Sequence, residues 1–202
     1  MKSGEGGIEL VKKLMSKEAA YVLGVILGDG WITRDKTHYS IGLDAKSYRF
    51  ALKFSECMTK ILHNLKQMGI RKRKVKIIKP IYLKRDNVWR VRYSCKQLYF
   101  PLKTIKDSVS NNDISILKHI VETQPQYIND FIKGIFDSDG GDGKMDIRLT
   151  NSNYTLLQYI RYLLINYYHF PEKSVKIVPH TQKDEITKIK GKNTSEKKIR
   201  GD

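Results

Sequence analysis

The chain has 202 residues, 40% of them hydrophobic, which suits one or two compact units with a real core. Lys and Arg number 38 against 21 Asp and Glu, a net charge of +17, and such an excess points to a polyanionic partner. No apolar run is long enough to span a membrane and no secretion signal is visible. Cys57 and Cys95 sit at apolar positions without metal-ligand spacing and read as core thiols of an intracellular protein.

Residues 1–15 carry Gly4, Gly6 and Gly7 and read as a loosely attached leader. A helix follows, with Ser16 as its N-cap. Trp31–Thr33 and Tyr39–Leu43 read as a hairpin, in which Tyr39, Ile41 and Leu43 alternate with Ser40, Gly42 and Asp44. The spacing of Phe50, Phe54, Cys57, Met58, Ile61, Leu65 and Met68 predicts a long amphipathic helix over 47–68, closed by Gly69. The basic run Arg71–Lys74 leads into a strand expected over 75–83, a turn at Asp86-Asn87 and a strand from Val88 to Cys95. On that last strand Trp89, Val91, Tyr93 and Cys95 would face the core, leaving Arg90, Arg92 and Ser94 outside. A helix over 97–106 closes the unit.

Residues 107–124 connect to a second unit through a short helix near 114–121, started by Asn111-Asn112-Asp113. The same order then repeats. Pro125 opens a helix, and Met145, Ile147 and Leu149 alternate with Lys144, Asp146, Arg148 and Thr150. Tyr154–Tyr168 is the equivalent long helix, and Val175-Lys176-Ile177 matches Val75-Lys76-Ile77. A weaker strand over 185–190 and the start of a helix over 193–199 complete the expectation, leaving the last helix of the first unit without a full counterpart.

Two stretches carry the chemistry. Tyr21–Gly30 and Phe131–Gly140 share an apolar run and a closing Asp-Gly, and their ends pair Gly24 with Gly134, Gly28 with Ser138, Asp29 with Asp139 and Gly30 with Gly140. Gly inside a helix costs roughly 0.5–1 kcal/mol relative to Ala, so small residues four apart imply two helices in close contact along those faces. Gly30 and Gly140 are expected to end the helices at positive φ. Packed this way, Asp29 and Asp139 lie side by side at two helix C-termini, where the helix dipoles and mutual repulsion disfavour both charges. A hard divalent cation relieves that arrangement. Paired acids with Mg²⁺ are a phosphodiester-cleaving constellation, with Gly28 and Ser138 carbonyls nearby.

These two motifs, above all Ile132–Gly140, resemble the signature helices of the LAGLIDADG homing endonucleases, and the chain resembles their single-chain, two-repeat, intron-encoded members of archaea and organelles. The resemblance spans nearly the whole chain; Leu27 replaces an earlier acid of the consensus that is not a metal ligand. It implies an α+β monomer of two pseudo-symmetric αββαββα repeats, residues 16–108 and 125–202, joined by a connector over 109–124. The antiparallel sheets would form a DNA-binding saddle. It implies Asp29 and Asp139 as the catalytic, Mg²⁺-holding acids (Mn²⁺ substituting), hydrolysis without a covalent intermediate, and a double-strand break in a long pseudo-palindromic site. Polar groups beside the scissile phosphates map to Lys46, Lys144 and Asn151, with Ala45 where a Gln is expected. Candidate DNA contacts by alternation are Arg34, Lys74, Lys76, Arg90 and Arg92 in the first half and Lys144, Arg148 and Lys176 in the second. The competing readings are a maturase of the same fold that binds intron RNA and a DNA-binding module that does not cut. The intact acids of both motifs argue against the second of these.

Overall fold

The structure, a computed structural model, describes residues 5–142 and 147–178. Helix α1 (Glu5–Leu14) leads into α2 (Lys17–Leu27), β1 (Gly30–Asp35), β2 (His38–Ala45), α3 (Tyr48–Gln67), β3 (Ile81–Leu83), β4 (Val88–Ser94) and α4 (Lys96–Ser110). Helix α5 (Ser115–Glu122) connects to α6 (Ile128–Asp139), β5 (Gly140–Asp142), β6 (Ile147–Leu149) and α7 (Tyr154–Asn166). The run from α2 to α4 is therefore one complete αββαββα unit, and α6 to α7 repeats its first four elements. No described helix is long and apolar enough to cross a membrane.

All strand pairs are antiparallel. The first sheet has the order β1-β2-β4-β3, and β5 pairs with β6 alone. The sheet's inner face sends Ile41, Leu43, Val91 and Tyr93 into a core shared with Phe54, Met58 and Leu65 of α3 and with α2 and α6. That core is continuous from α1 to α7. Capping follows the sequence: the Ser16 hydroxyl accepts from the Ala19 amide, Ser47 accepts from Phe50, and Asn153 accepts from Leu156.

Several expectations give way. Residues 5–14 are a helix rather than a loose leader, because Val11 and Leu14 are buried against the core. The strand expected over 75–83 is confined to β3. The backbone of Ile78 is satisfied by side chains instead of a ladder: its amide donates to the Tyr93 hydroxyl, and its carbonyl accepts from the Ser55 hydroxyl at 2.5 Å. Pro80, lacking an N–H, then delays pairing until Ile81. The helix expected over 97–106 runs on to Ser110 as α4, and α7 stops at Asn166, two residues short. Val175–Ile177 forms no strand in the described structure, and the expectations at 185–190 and 193–199 fall outside the described residues.

Gly30 and Gly140 are corrected in their reason. Neither has positive φ; Gly140 is extended at φ −80° and ψ 152°, whereas Gly69, closing α3, is left-handed at +73°. Both are needed because the chain doubles back over the last helical turn. A Cβ on Gly30 would lie 2.8 Å from the Ile26 Cα, and one on Gly140 would lie 3.1 Å from the Phe136 Cα.

Candidate active site

Helices α2 and α6 lie side by side and point the same way, with Gly24 against Gly134 and Gly28 against Ser138. A Cβ on Gly24 would sit 3.0 Å from the Gly134 Cα and 2.8 Å from the Ile135 amide nitrogen, so the two backbones touch. This contact brings both C-termini to one end of the molecule. Asp139 is the last residue of α6, and Asp29 stands between α2 and β1. A Cβ on Gly28 would lie 2.8 Å from Asp139 Oδ1, so the small residue at 28 makes room for the carboxylate of the opposite helix.

The electrostatics of the pair are unfavourable. Partial burial raises the pKa of Asp29, opposed by Lys106. Asp139 is raised chiefly by burial and further by the Asp29 charge, against the hydrogen bond from Asn151 and the charge of Lys106. Asn151 Nδ2 donates to Asp139 Oδ2 at 2.5 Å, and the Asn151 Oδ1 accepts from the Asn153 amide, which fixes the side chain at the start of α7. The Thr150 amide donates to the Asp139 carbonyl at 3.0 Å. The two halves differ here. Gly30 pairs with Leu43 and Gly140 with Leu149, so Ala45 occupies the place that Asn151 holds in the second half. Among the described residues Asp29 has no such amide to orient it.

Lys106 was not singled out by the sequence. Its Nζ donates to the Ile26 carbonyl at 2.7 Å and to the Gly30 carbonyl at 2.5 Å, which places the ammonium at the negative end of α2. Burial lowers its pKa, while Asp139 and Asp29 raise it. A signal was present. Lys106 follows Leu102 by four residues, one helical turn along the buried stripe Leu98, Leu102, Ile105 and Val109, where a charge is out of pattern.

The donor set fits a hard divalent cation. Two carboxylates held together against their own repulsion are relieved by positive charge between them. Among the described residues no group of three or more His, Cys, Asp or Glu is placed to hold a metal ion, so a cation here would take this pair as its only side-chain carboxylates, with backbone carbonyls and water completing its shell. The Ser138 hydroxyl is turned back to the Gly134 carbonyl at 3.1 Å and leaves only its backbone to contribute.

The remaining expected residues scatter. Arg90 and Arg92 share the outer sheet face. Arg34 does not: it stands on the face of its partner Tyr39, stacking over that ring at 5.2 Å, because β1 alternates in register with β2. Lys74 and Lys76 are exposed in the irregular segment before β3, Lys46 is exposed just past β2, Arg148 is exposed on β6, and Lys176 is exposed beyond α7. Lys144 lies outside the described residues.

No protein-family model and no curated protein matches the sequence. Among solved structures, mesophilic variants of the homing endonuclease I-DmoI superpose with a TM-score of 0.50 at 19% identity, over 79% of this chain and 78% of that one. This chain has the I-DmoI fold. Two further I-DmoI structures align at 19% identity over 79% of this chain, both in complex with target DNA and in the presence of Mn. One, with its DNA nicked in the coding strand, has a TM-score of 0.49 over 78% of its chain; the other scores 0.48 over 76%. The I-DmoI fold accounts for the mixed helices and antiparallel sheets.

Proposed function

We propose that the chain is a LAGLIDADG-type homing endonuclease that makes a metal-dependent double-strand break in a long pseudo-palindromic DNA site, its halves being residues 16–108 and 125–202. The observation that carries this reading is the meeting of Asp29 and Asp139 at one end of two helices in backbone contact. Unfavourable for stability, that meeting has a use as a cation site. Asp29 and Asp139 would hold Mg²⁺, with Mn²⁺ as a substitute. When bound, the ion supplies Lewis-acid stabilisation of the phosphodiester and lowers the pKa of water.

The chain's own residues do the rest. Asn151 holds the Asp139 carboxylate in one orientation. Lys106 anchors its ammonium on two carbonyls, and its remaining N–H is free to meet the carboxylates or a phosphate oxygen. The net charge of +17 draws the polyanion to the surface.

The test is cleavage of a randomised duplex library with Mg²⁺ or EDTA, sequencing the new ends. Mg²⁺-dependent ends flanked by one long motif are expected. Asp29→Asn and Asp139→Asn should abolish double-strand cleavage while keeping binding. Lys106→Met should slow it by roughly 10²–10³-fold, the usual effect of removing one electrostatic stabiliser. Normal cutting by either acid variant would remove the site assignment.

A further inference from the structure

The outer face of the first sheet holds an acid where a DNA-binding surface gains nothing from one. Asp44 stands opposite Arg90, and Trp31, Gly42 and Arg92 form the next row outward. Asp44 accepts three hydrogen bonds: from Arg90 Nε at 2.8 Å, from Arg90 Nη2 at 2.5 Å, and from Trp31 Nε1 at 3.2 Å. Trp31 itself packs against Gly42, where a Cβ would meet the indole ring. Three of the carboxylate's roughly four acceptor positions are thus taken by its own sheet. Its effect is to aim Arg90. The side chain remains 42% exposed, and with Nε and one Nη2 N–H held, the Nη1 edge and the second Nη2 N–H face outward.

Arg92 is treated alike. Its Nε donates to the buried Ser40 hydroxyl at 2.9 Å, leaving both Nη groups of an exposed side chain outward. Two residues apart on one strand, the backbone positions that carry these forks lie about 7 Å apart. Two base-pair steps along a duplex also span about 7 Å. A guanidinium fork matches the O6 and N7 acceptors of guanine in the major groove.

We propose that Arg90 and Arg92 read two guanines separated by one base pair in one half of the duplex site, with Asp44 and Ser40 as the positioning residues that aim them. The register fixes the order. The row of Gly30, Leu43 and Val91 separates the two: Arg90, opposite Asp44, lies on its Asp29 side, and Arg92, in the row of Trp31 and Gly42, lies on the far side. The inner guanine, closer to the cut, belongs to Arg90. This rests on the DNA reading of the chain but not on its cleavage.

The experiment is selection of bound duplexes from a randomised library by the full chain in EDTA. The unmodified protein is expected to enrich a guanine, any base, guanine pattern. Arg90→Ala should erase one guanine and Arg92→Ala the other, each lowering discrimination by roughly tenfold to a hundredfold. Arg92→Gln should turn its position from guanine to adenine. Asp44→Asn should relax the inner guanine about tenfold while tightening binding to unselected duplex, because a negative charge leaves the face. Thermal unfolding of each variant separates these outcomes from loss of fold. Arginine variants that weaken all duplexes equally and lower the salt dependence would make both residues phosphate contacts and overturn the proposal. So would a selection that enriches no duplex. An enriched duplex that Mg²⁺ leaves uncut would instead overturn the endonuclease reading and leave the readout standing.

Discussion

Asp29 and Asp139 hold the smallest-scale tension in the molecule. Both have pKa values raised in the folded state, first by burial. A carboxyl group with a raised folded pKa binds its proton more tightly folded than unfolded, so its contribution to stability is present at low pH and is lost as pH rises through the folded value. Without metal, the thermal midpoint is therefore expected to fall as pH climbs past the ordinary carboxylate range. Mg²⁺ should restore it, and Asp139→Asn should remove its own share of the pH response, leaving that of Asp29, and much of the Mg²⁺ response. Unfolding curves across pH, with and without Mg²⁺, check this. The same shift places the acid limb of the cleavage rate above the ordinary carboxylate range. Lys106 belongs to this scale as well. Its lowered pKa is a cost of burial, accepted where its charge faces both acids.

Among the elements, the pair α2 and α6 decides the geometry. The Gly24–Gly134 contact allows no side chain, since a Cβ on Gly134 would lie 3.0 Å from the Val25 amide nitrogen and 3.1 Å from the Gly24 Cα. Gly24→Ala and Gly134→Ala are each expected to destabilise by roughly 1–3 kcal/mol, the usual cost of overpacking, and to spread the two acids. Gly141→Ala, where a Cβ meets nothing within 4 Å among the described residues, should leave both stability and cleavage unchanged. Denaturant midpoints and cleavage rates for the three variants separate a local packing role from a general dislike of alanine. The first sheet shows a similar logic. Ser40 looks like an ordinary outward residue in the sequence, yet it is buried under Arg92, and Gly42 is buried under Trp31.

At the scale of the whole molecule, the charge excess should make duplex binding strongly salt-dependent, with a slope near −0.9 per neutralised phosphate. Lys72, Arg73 and Lys74 are exposed in the irregular segment after α3 and have no sheet row to align them with base edges. Replacing all three by Gln is expected to lower the magnitude of the salt slope by about two to three without changing which sequences are selected. A changed base preference would make that segment a reader of sequence. Titrations of one enriched duplex at several salt concentrations provide the measurement.

The two helices, their small faces and the acids at their ends were legible in the sequence because each is written locally: an apolar run, Gly at four-residue spacing, a closing Asp-Gly, and Ser16 as a cap. The long helix α3 was equally plain from its stripe. Asn151 was expected only through the family resemblance, by its position after a hairpin strand. What the tertiary structure decided depends on neighbours far along the chain. Lys106 reaches the site only because α4 lays it over the end of α2, 80 residues away at Ile26. Arg34 left the expected face because the register of β1 on β2 sets its direction. Ile78 stayed out of the sheet because side chains from α3 and β4 satisfied its backbone instead. Local pattern selects elements through short-range sterics and periodicity. Which polar group meets which charge is settled only when distant segments compete for the same hydrogen bonds.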